Sequence, residues 1–400
     1  MSIIFLITAA LVLHLVDVMA DKKLLIHGAM GRHNFGDILM PHMLTKLFSM
    51  ETDIDIDSII YTDVLANDMR IFGGFNTFAV SDYFKSNPKW ANTTFDVIIG
   101  GGEILGCPVP FAVSLFENER TKYFTKNNPE KRDPLFDRRP LAYVLEKKDF
   151  AHPGLFMLNT IGGGGRHSNY YNELIDYDFR SYRNPNKEGK AVEPDSVVTV
   201  KRLFGDRVEV YADASFAYKK YIAFQHHAHD SAPPHHVAAM LTGISTALDL
   251  PIVFFRAGAA TGHDTLPFYH KVGALLDVEF YVMPDLDVWK IVALISRATL
   301  MVSSSLHTRI IAFAYQVPRV TLDCSHKQIA FIEYYDKSVF NISRASSHDE
   351  TMKHVAITAL SPENLKIFQQ PKIAADAAEK YIKDVFRPMA KLMGHYTGKE

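Results

Sequence analysis

Short apolar runs that stop at glycine or a carboxylate recur through the first half of this chain. Leu24-Leu25-Ile26 runs to Gly28, Asp96-Val97-Ile98-Ile99 to Gly100-Gly101-Gly102-Glu103, and Val208-Glu209-Val210-Tyr211 to Asp213. Residues 154–158 run toward Ile161-Gly162-Gly163-Gly164-Gly165. Such runs read as buried strands, and their common ending puts ligand-facing loops at the carboxyl edge of one parallel sheet. After the first strand, Gly31-Arg32-His33-Asn34-Phe35-Gly36-Asp37 leads into 38–48, where Ile38, Leu39, Met43, Leu44 and Leu47 keep helical spacing. Asp37 stands where an N-cap belongs, and Pro41 falls in the first turn. Strand, loop and helix form the repeating unit of an α/β sheet.

The rhythm breaks at 225–236, a polar stretch holding His226, His227, His229, Pro233, Pro234, His235 and His236. It reads as an interdomain linker, and its histidines as solvated side chains rather than metal ligands. A second series follows, with strands at 251–255, 278–282, 300–302 and 318–322, a helix at 310–315 and a long amphipathic helix at 372–393. The expected fold is α/β. One Rossmann-like doubly wound domain covers 22–225, a second covers 236–370, and a helix and tail cover 371–400. This is the GT-B-like arrangement of metal-independent glycosyltransferases and their relatives, with ligand bound in the cleft between the domains.

A chain of 400 residues has room for both domains. Its formal net charge of −2 exerts no long-range pull on nucleic acid or anionic membrane, so an anion site has to be built locally. The two cysteines, Cys107 and Cys324, lack metal-ligand spacing, so no zinc site is expected; they can form at most one disulfide. Residues 1–20 are almost wholly apolar and end in Val18-Met19-Ala20 before Asp21, which reads as a signal peptide or a retained anchor. Secretory-pathway localisation follows, with membrane contact only if the segment is kept. The sequons at Asn92 and Asn341 agree with a lumenal glycoprotein.

Three segments carry more than fold: Asn34-Phe35-Gly36-Asp37, Gly100-Gly101-Gly102-Glu103, and Ser303-Ser304-Ser305-Leu306-His307-Thr308-Arg309 with Gln316-Val317-Pro318 behind it. Taken in order, with Asp178-Phe179-Arg180-Ser181 and the Val210…Asp213 strand end, they resemble the polysaccharide pyruvyl transferase family over roughly residues 24–325. The resemblance implies transfer of pyruvate from phosphoenolpyruvate to two hydroxyls of one sugar, giving a cyclic ketal and phosphate. His307 matches the family's catalytic histidine. Asn34, Gly36 and Asp37 match its first loop, Gly101 and Gly102 its glycine loop, and Arg180 its central arginine. The family pattern has arginine immediately before Leu-His, where this chain has Ser305. Arg309, or Arg256 at the end of the 251–255 strand, can supply the missing charge.

An enol phosphate becomes electrophilic at C2 when C3 is protonated, and histidine titrates in the right range for that proton. Arginine forks suit a donor bearing phosphate and carboxylate. The expected roles are therefore His307 as acid/base, Arg180 and Arg309 on the donor and the glycine loops around phosphate, with Arg256, Ser303, Ser304 and Ser305 as further substrate-binding residues. Asp37 or Glu103 would take protons from the sugar. The expected partners are phosphoenolpyruvate and a glycan acceptor, with no cofactor and no metal. Two other functions remain open: a nucleotide-sugar glycosyltransferase, with Asp264 or Asp285 on the ribose, and a non-catalytic glycan-binding relative.

Overall fold

The computed structural model describes residues 22–398 apart from 81–91, 103, 106, 117–140, 163–173, 186–190, 216–217, 228–231, 261, 323–324, 338, 340–343 and 346–349. The first sheet contains β1 (Lys22–His27), β2 (Ile60–Asp63), β3 (Asn67–Asp68), β4 (Asn76–Ala79), β5 (Thr94–Gly100), β6 (Pro153–Ile161) and β7 (Phe179–Tyr182). Its order is β3-β4-β2-β1-β5-β6-β7, and only the β3–β4 pairing is antiparallel. The second sheet, wholly parallel, contains β8 (Ile222–Gln225), β9 (Ile252–Phe254), β10 (Phe280–Val282), β11 (Leu300–Ser303), β12 (Arg319–Leu322) and β13 (Arg344–Ala345). Its order is β10-β9-β8-β11-β12-β13.

These two orders locate the site. In the first sheet the connections turn to opposite sides at β1 and β5, and in the second at β8 and β11. A parallel sheet opens a crevice at such a switch point, beyond the carboxyl ends of its strands. The two crevices face each other, because Phe35 N–H donates to Ala257 O at 2.8 Å and Asn34 bridges Gly258.

The helices that bear on the site are α1 (Phe35–Glu51), α2 (Val200–Ser215), α3 (Val288–Arg297), α4 (Leu306–Ala314), α5 (His326–Tyr334), α6 (Pro371–Tyr381) and α7 (Arg387–Leu392). The C-terminal helix expected at 372–393 is α6 and α7, joined by a π-helical turn at Ile382–Phe386. It packs back onto the first domain. Tyr381 Oη donates to Asn159 Oδ1 at 2.7 Å, and Arg387 Nε meets Glu51 Oε2 at 2.8 Å. Its buried face of Ala374, Ala377, Ala378 and Tyr381 joins the same core as Phe35, Leu39 and Phe48 of α1 and Trp289 of α3.

Three expectations are corrected. The stretch 225–236 is not the interdomain linker. β8 lies inside the second sheet, so the chain crosses between domains after β7 and before β8, and the polar stretch is the loop from β8 to the helix Pro234–Leu248. His226 is not solvated either: it is buried, with its ring stacked on Phe224 and Phe268. Residues 208–211 are helical, not a strand. Leu203, Phe204 and Val208 share one face packed against α3, while Val210 is 71% exposed. Arg207 stacks over the Trp289 ring at 4.2 Å. Alternation over four residues fits either period, and the neighbours three to five positions earlier decide it.

Among the described residues no helix is long and apolar enough to cross a membrane, and residues 1–21 lie outside them. Cys107 is buried and Cys324 lies outside the described residues. Asn92 is exposed just ahead of β5, and Asn341 lies outside.

Candidate functional site

His307 occupies the first turn of α4, at the switch point of the second sheet, and is 6% exposed. Its ring lies on Gly36, where an added Cβ would come within 2.0 Å of the ring Cγ and Nδ1. Only glycine lets the first helix of one domain approach the histidine of the other so closely. On its other edge, Nε2 stands 3.6 Å from Asp195 Oδ2 and 3.4 Å from an Arg183 Nη. Asp195 is buried, caps the turn Ser196–Thr199 through Val197 N–H, and pairs with Arg183 at 2.5 Å. Burial alone would raise the Asp195 pKa, but the adjacent His307 and the Arg183 guanidinium outweigh it and hold the carboxyl below the usual range. The histidine is thus oriented by an ionised carboxylate and an arginine.

The sequence reading missed both partners. It chose Arg180, which sits half-buried within β7. Arg183 is the first residue past the carboxyl end of that strand, where a parallel sheet places its ligand residues. Asp195 has only a weak local signal, an Asp two residues before the capped Val197.

The first loop is tied down from several sides. Asp63, buried at the end of β2, accepts Gly31 N–H at 2.6 Å and Val64 N–H; burial pushes its pKa up to about 7. His33 Nδ1 accepts Ala259 N–H at 3.2 Å, and its Nε2–H donates to Leu286 O at 2.8 Å, strapping the loop to the second domain. Asn34, not Asp37, is the N-cap: its carbonyl accepts Ile38 N–H at 3.0 Å. The helix starts earlier than expected because Ala257 O anchors Phe35 N–H, so Pro41 falls in the second turn. Asp37 is buried, 3.5 Å from Arg32, and its Oδ1 has no hydrogen-bond partner among the described residues. Facing it, Gly101 and Gly102 have φ of 115° and 27°, and a Cβ on Gly102 would stand 2.8 Å from Asp37 Oδ1. Glu103 and Gly163-Gly164-Gly165 lie outside the described residues, as does the side chain of Asp213.

On the second domain, Ser303 Oγ is buried and bonded to Thr308 Oγ1, and Ser305 is the N-cap of α4. Ser304 Oγ accepts His227 N–H at 2.9 Å, and its carbonyl accepts Gln328 Nε2–H at 3.0 Å. Arg309 does not face the cleft. It is buried, with Nη groups on Thr321 Oγ1 and Asp336 Oδ2 at 2.6 Å, and Arg319 shares the same carboxylate. Two residues along a helix are about 200° apart, so Arg309 and His307 point to different sides. Arg309→Ala should cost about 3 kcal/mol in urea unfolding, because a buried carboxylate loses one of its cations. Anion affinity of the folded variant should not change.

Arg256 does face the cleft. With Arg32, His33, Asn67, Phe72 and Phe116 it lines a cavity of about 620 Å³ built from both domains. That is room for a sugar-sized ligand. Asp264 and Asp285, the candidates for a ribose, are committed. Asp264 is buried on Gln225 Nε2 and Ala257 N–H, and Asp285 accepts from Lys290 and Asp287 N–H.

The fold resembles that of the UDP-GlcNAc 2-epimerase of Neisseria meningitidis bound to UDP-GlcNAc, with 9% identity, a TM-score of 0.54, and 92% of this chain and 100% of that one covered. A putative UDP-N-acetylglucosamine 2-epimerase of Listeria monocytogenes gives 12% identity, a TM-score of 0.53, and coverage of 92% and 97%. The architecture is therefore of the GT-B type, as the sequence led one to expect. No curated protein matches the chain in sequence. Residues 193–326, which hold Asp195, Ser303, Ser304, Ser305 and His307, match the model of polysaccharide pyruvyl transferase, a transferase family.

Proposed function

We propose that this chain is a glycan-modifying transferase that moves a pyruvyl group from phosphoenolpyruvate onto one sugar as a cyclic ketal. The observation carrying this reading is His307, which lies with Asp195 inside the stretch that matches the family and is held between Asp195, Arg183 and Gly36. His307, with Asp195 behind it, delivers a proton to C3 of the enol, and C2 becomes electrophilic. One sugar hydroxyl adds to C2 and loses its proton. The C2–O bond to phosphate breaks, and the second hydroxyl closes the ketal as its own proton leaves. Asp37, next to the Gly36 on which His307 rests and with no partner for Oδ1 among the described residues, is the base. Arg256 and Arg32 neutralise the donor's anions from the cavity.

The test is incubation of purified protein with phosphoenolpyruvate and a panel of β-galactosides. Phosphate release in step with an acceptor mass gain of one pyruvylidene group is expected. Turnover of a nucleotide sugar with none of phosphoenolpyruvate would overturn the reading.

A further inference from the structure

We infer that the hairpin of β3 and β4 is the sugar-recognition element of the interdomain cavity, with Asn67 and Phe72 binding one pyranose ring. That this sugar is the acceptor rests on the pyruvyl-transfer reading.

The hairpin is the antiparallel edge of an otherwise parallel sheet, and it supplies Asn67, Met69 and Phe72 to the cavity wall. Both domains hold its turn in place. His42 of α1 donates from Nε2–H to Gly73 O at 2.8 Å. Gly73 has a φ of 77° and lies against Trp289 of α3, where an added Cβ would stand 2.9 Å from the ring Cδ1. Within the turn, Met69 N–H donates to Phe75 O at 3.0 Å and Gly74 N–H to Met69 O at 2.9 Å, and Met69 is buried in the core. A wall fixed this way loses little conformational freedom when a ligand arrives.

Two side chains on this wall suit a sugar. Asn67 is exposed, and its Nδ2 donates to Gly31 O at 2.8 Å and Met69 Sδ at 3.5 Å. The amide is thereby oriented. Its Oδ1 has no hydrogen-bond partner among the described residues and can accept from a hydroxyl. Phe72 is half-buried, and its ring meets that of His33 at 82°, with centroids 5.1 Å apart. The negative face of an aromatic ring attracts the polarised C–H groups on one side of a pyranose, while a few polar groups fix its hydroxyls. Arg32 and Arg256 line the same cavity, and its volume of about 620 Å³ has room for a sugar beside a three-carbon donor. The wall also adjoins the proposed base. Asn67 bonds Gly31, and the next residue, Arg32, stands 3.5 Å from Asp37.

The experiment has two readouts on the full chain. One is ligand-observed NMR titration with lactose, methyl β-galactoside and methyl α-mannoside, without donor. The other is KM for each pyranoside and for phosphoenolpyruvate in the phosphate-release assay. Wild type should bind at least one pyranoside. Asn67→Ala and Phe72→Leu should each weaken that binding and raise the acceptor KM about tenfold, while KM for phosphoenolpyruvate changes less than about twofold. Both should melt near wild type, since Asn67 is exposed and leucine keeps apolar bulk at position 72. Asn67→Ala carries the test alone should Phe72→Leu fail to fold. Pyranoside binding that the variants weaken, with no turnover of phosphoenolpyruvate by wild type, supports the site and overturns pyruvyl transfer. Turnover with acceptor binding and KM unchanged in the variants supports pyruvyl transfer and overturns the site. A matched rise in both KM values also overturns it, because a general disturbance of the cavity moves both. A wild type that neither binds nor turns over any pyranoside overturns site and reaction together.

Discussion

His307→Asn should lower the rate of ketal formation by about 10³-fold, within the range a positioned general acid contributes. Asparagine fills much of the same space on Gly36 but carries no titratable proton. Because the proton moves in the transition state, the loss should appear in kcat, with KM for phosphoenolpyruvate changed only a few-fold. Phosphate release at saturating donor measures it. Because His307 also helps hold the buried Asp195 carboxylate ionised, the variant should lose some melting temperature, and its rate is compared per folded protein. Full activity in His307→Asn would remove the acid role even if the protein proved to transfer pyruvate.

Much of the scaffold was legible because its signals are local. Leu24-Leu25-Ile26 and Val97-Ile98-Ile99 are buried on both faces in the middle of a parallel sheet, and such strands read as continuous apolar runs. The C-terminal helix was legible from its spacing alone. The domain crossing was not. A proline- and histidine-rich stretch has the composition of a linker and also of a loop lining a polar cleft, and only the pairing of β8 with β9 and β11 tells them apart. The site divides the same way. His307, Gly36 and the glycine loop sit in motifs contiguous along the chain. Asp195 reaches His307 across more than a hundred residues, and no spacing rule encodes that contact. Arg309 was misplaced for a reason the sequence did contain: its position on α4 turns it away from His307.

The Arg183–Asp195 pair is where structure and chemistry can be separated. Both side chains are buried, and removing one leaves the other charge without its partner. Asp195→Asn should therefore destabilise the protein by about 3–5 kcal/mol in urea unfolding. Asp195 has a depressed pKa in the folded chain, so the pair's contribution is complete at neutral pH and is lost as pH falls below the ordinary carboxylate range, about 4. The stability gap between wild type and Asp195→Asn should narrow accordingly in acid. Activity should fall at least about 10²-fold in the folded fraction, because the imidazolium at His307 loses the carboxylate that stabilises it. The double variant Arg183→Gln/Asp195→Asn leaves neutral groups of similar shape on both sides. It should recover most of the lost stability, since neither member is then an unpaired buried ion. It should recover none of the activity, because His307 still lacks its counter-charge. Recovery of both together would make the pair a structural clamp between the domains and would take the orienting carboxylate out of the mechanism.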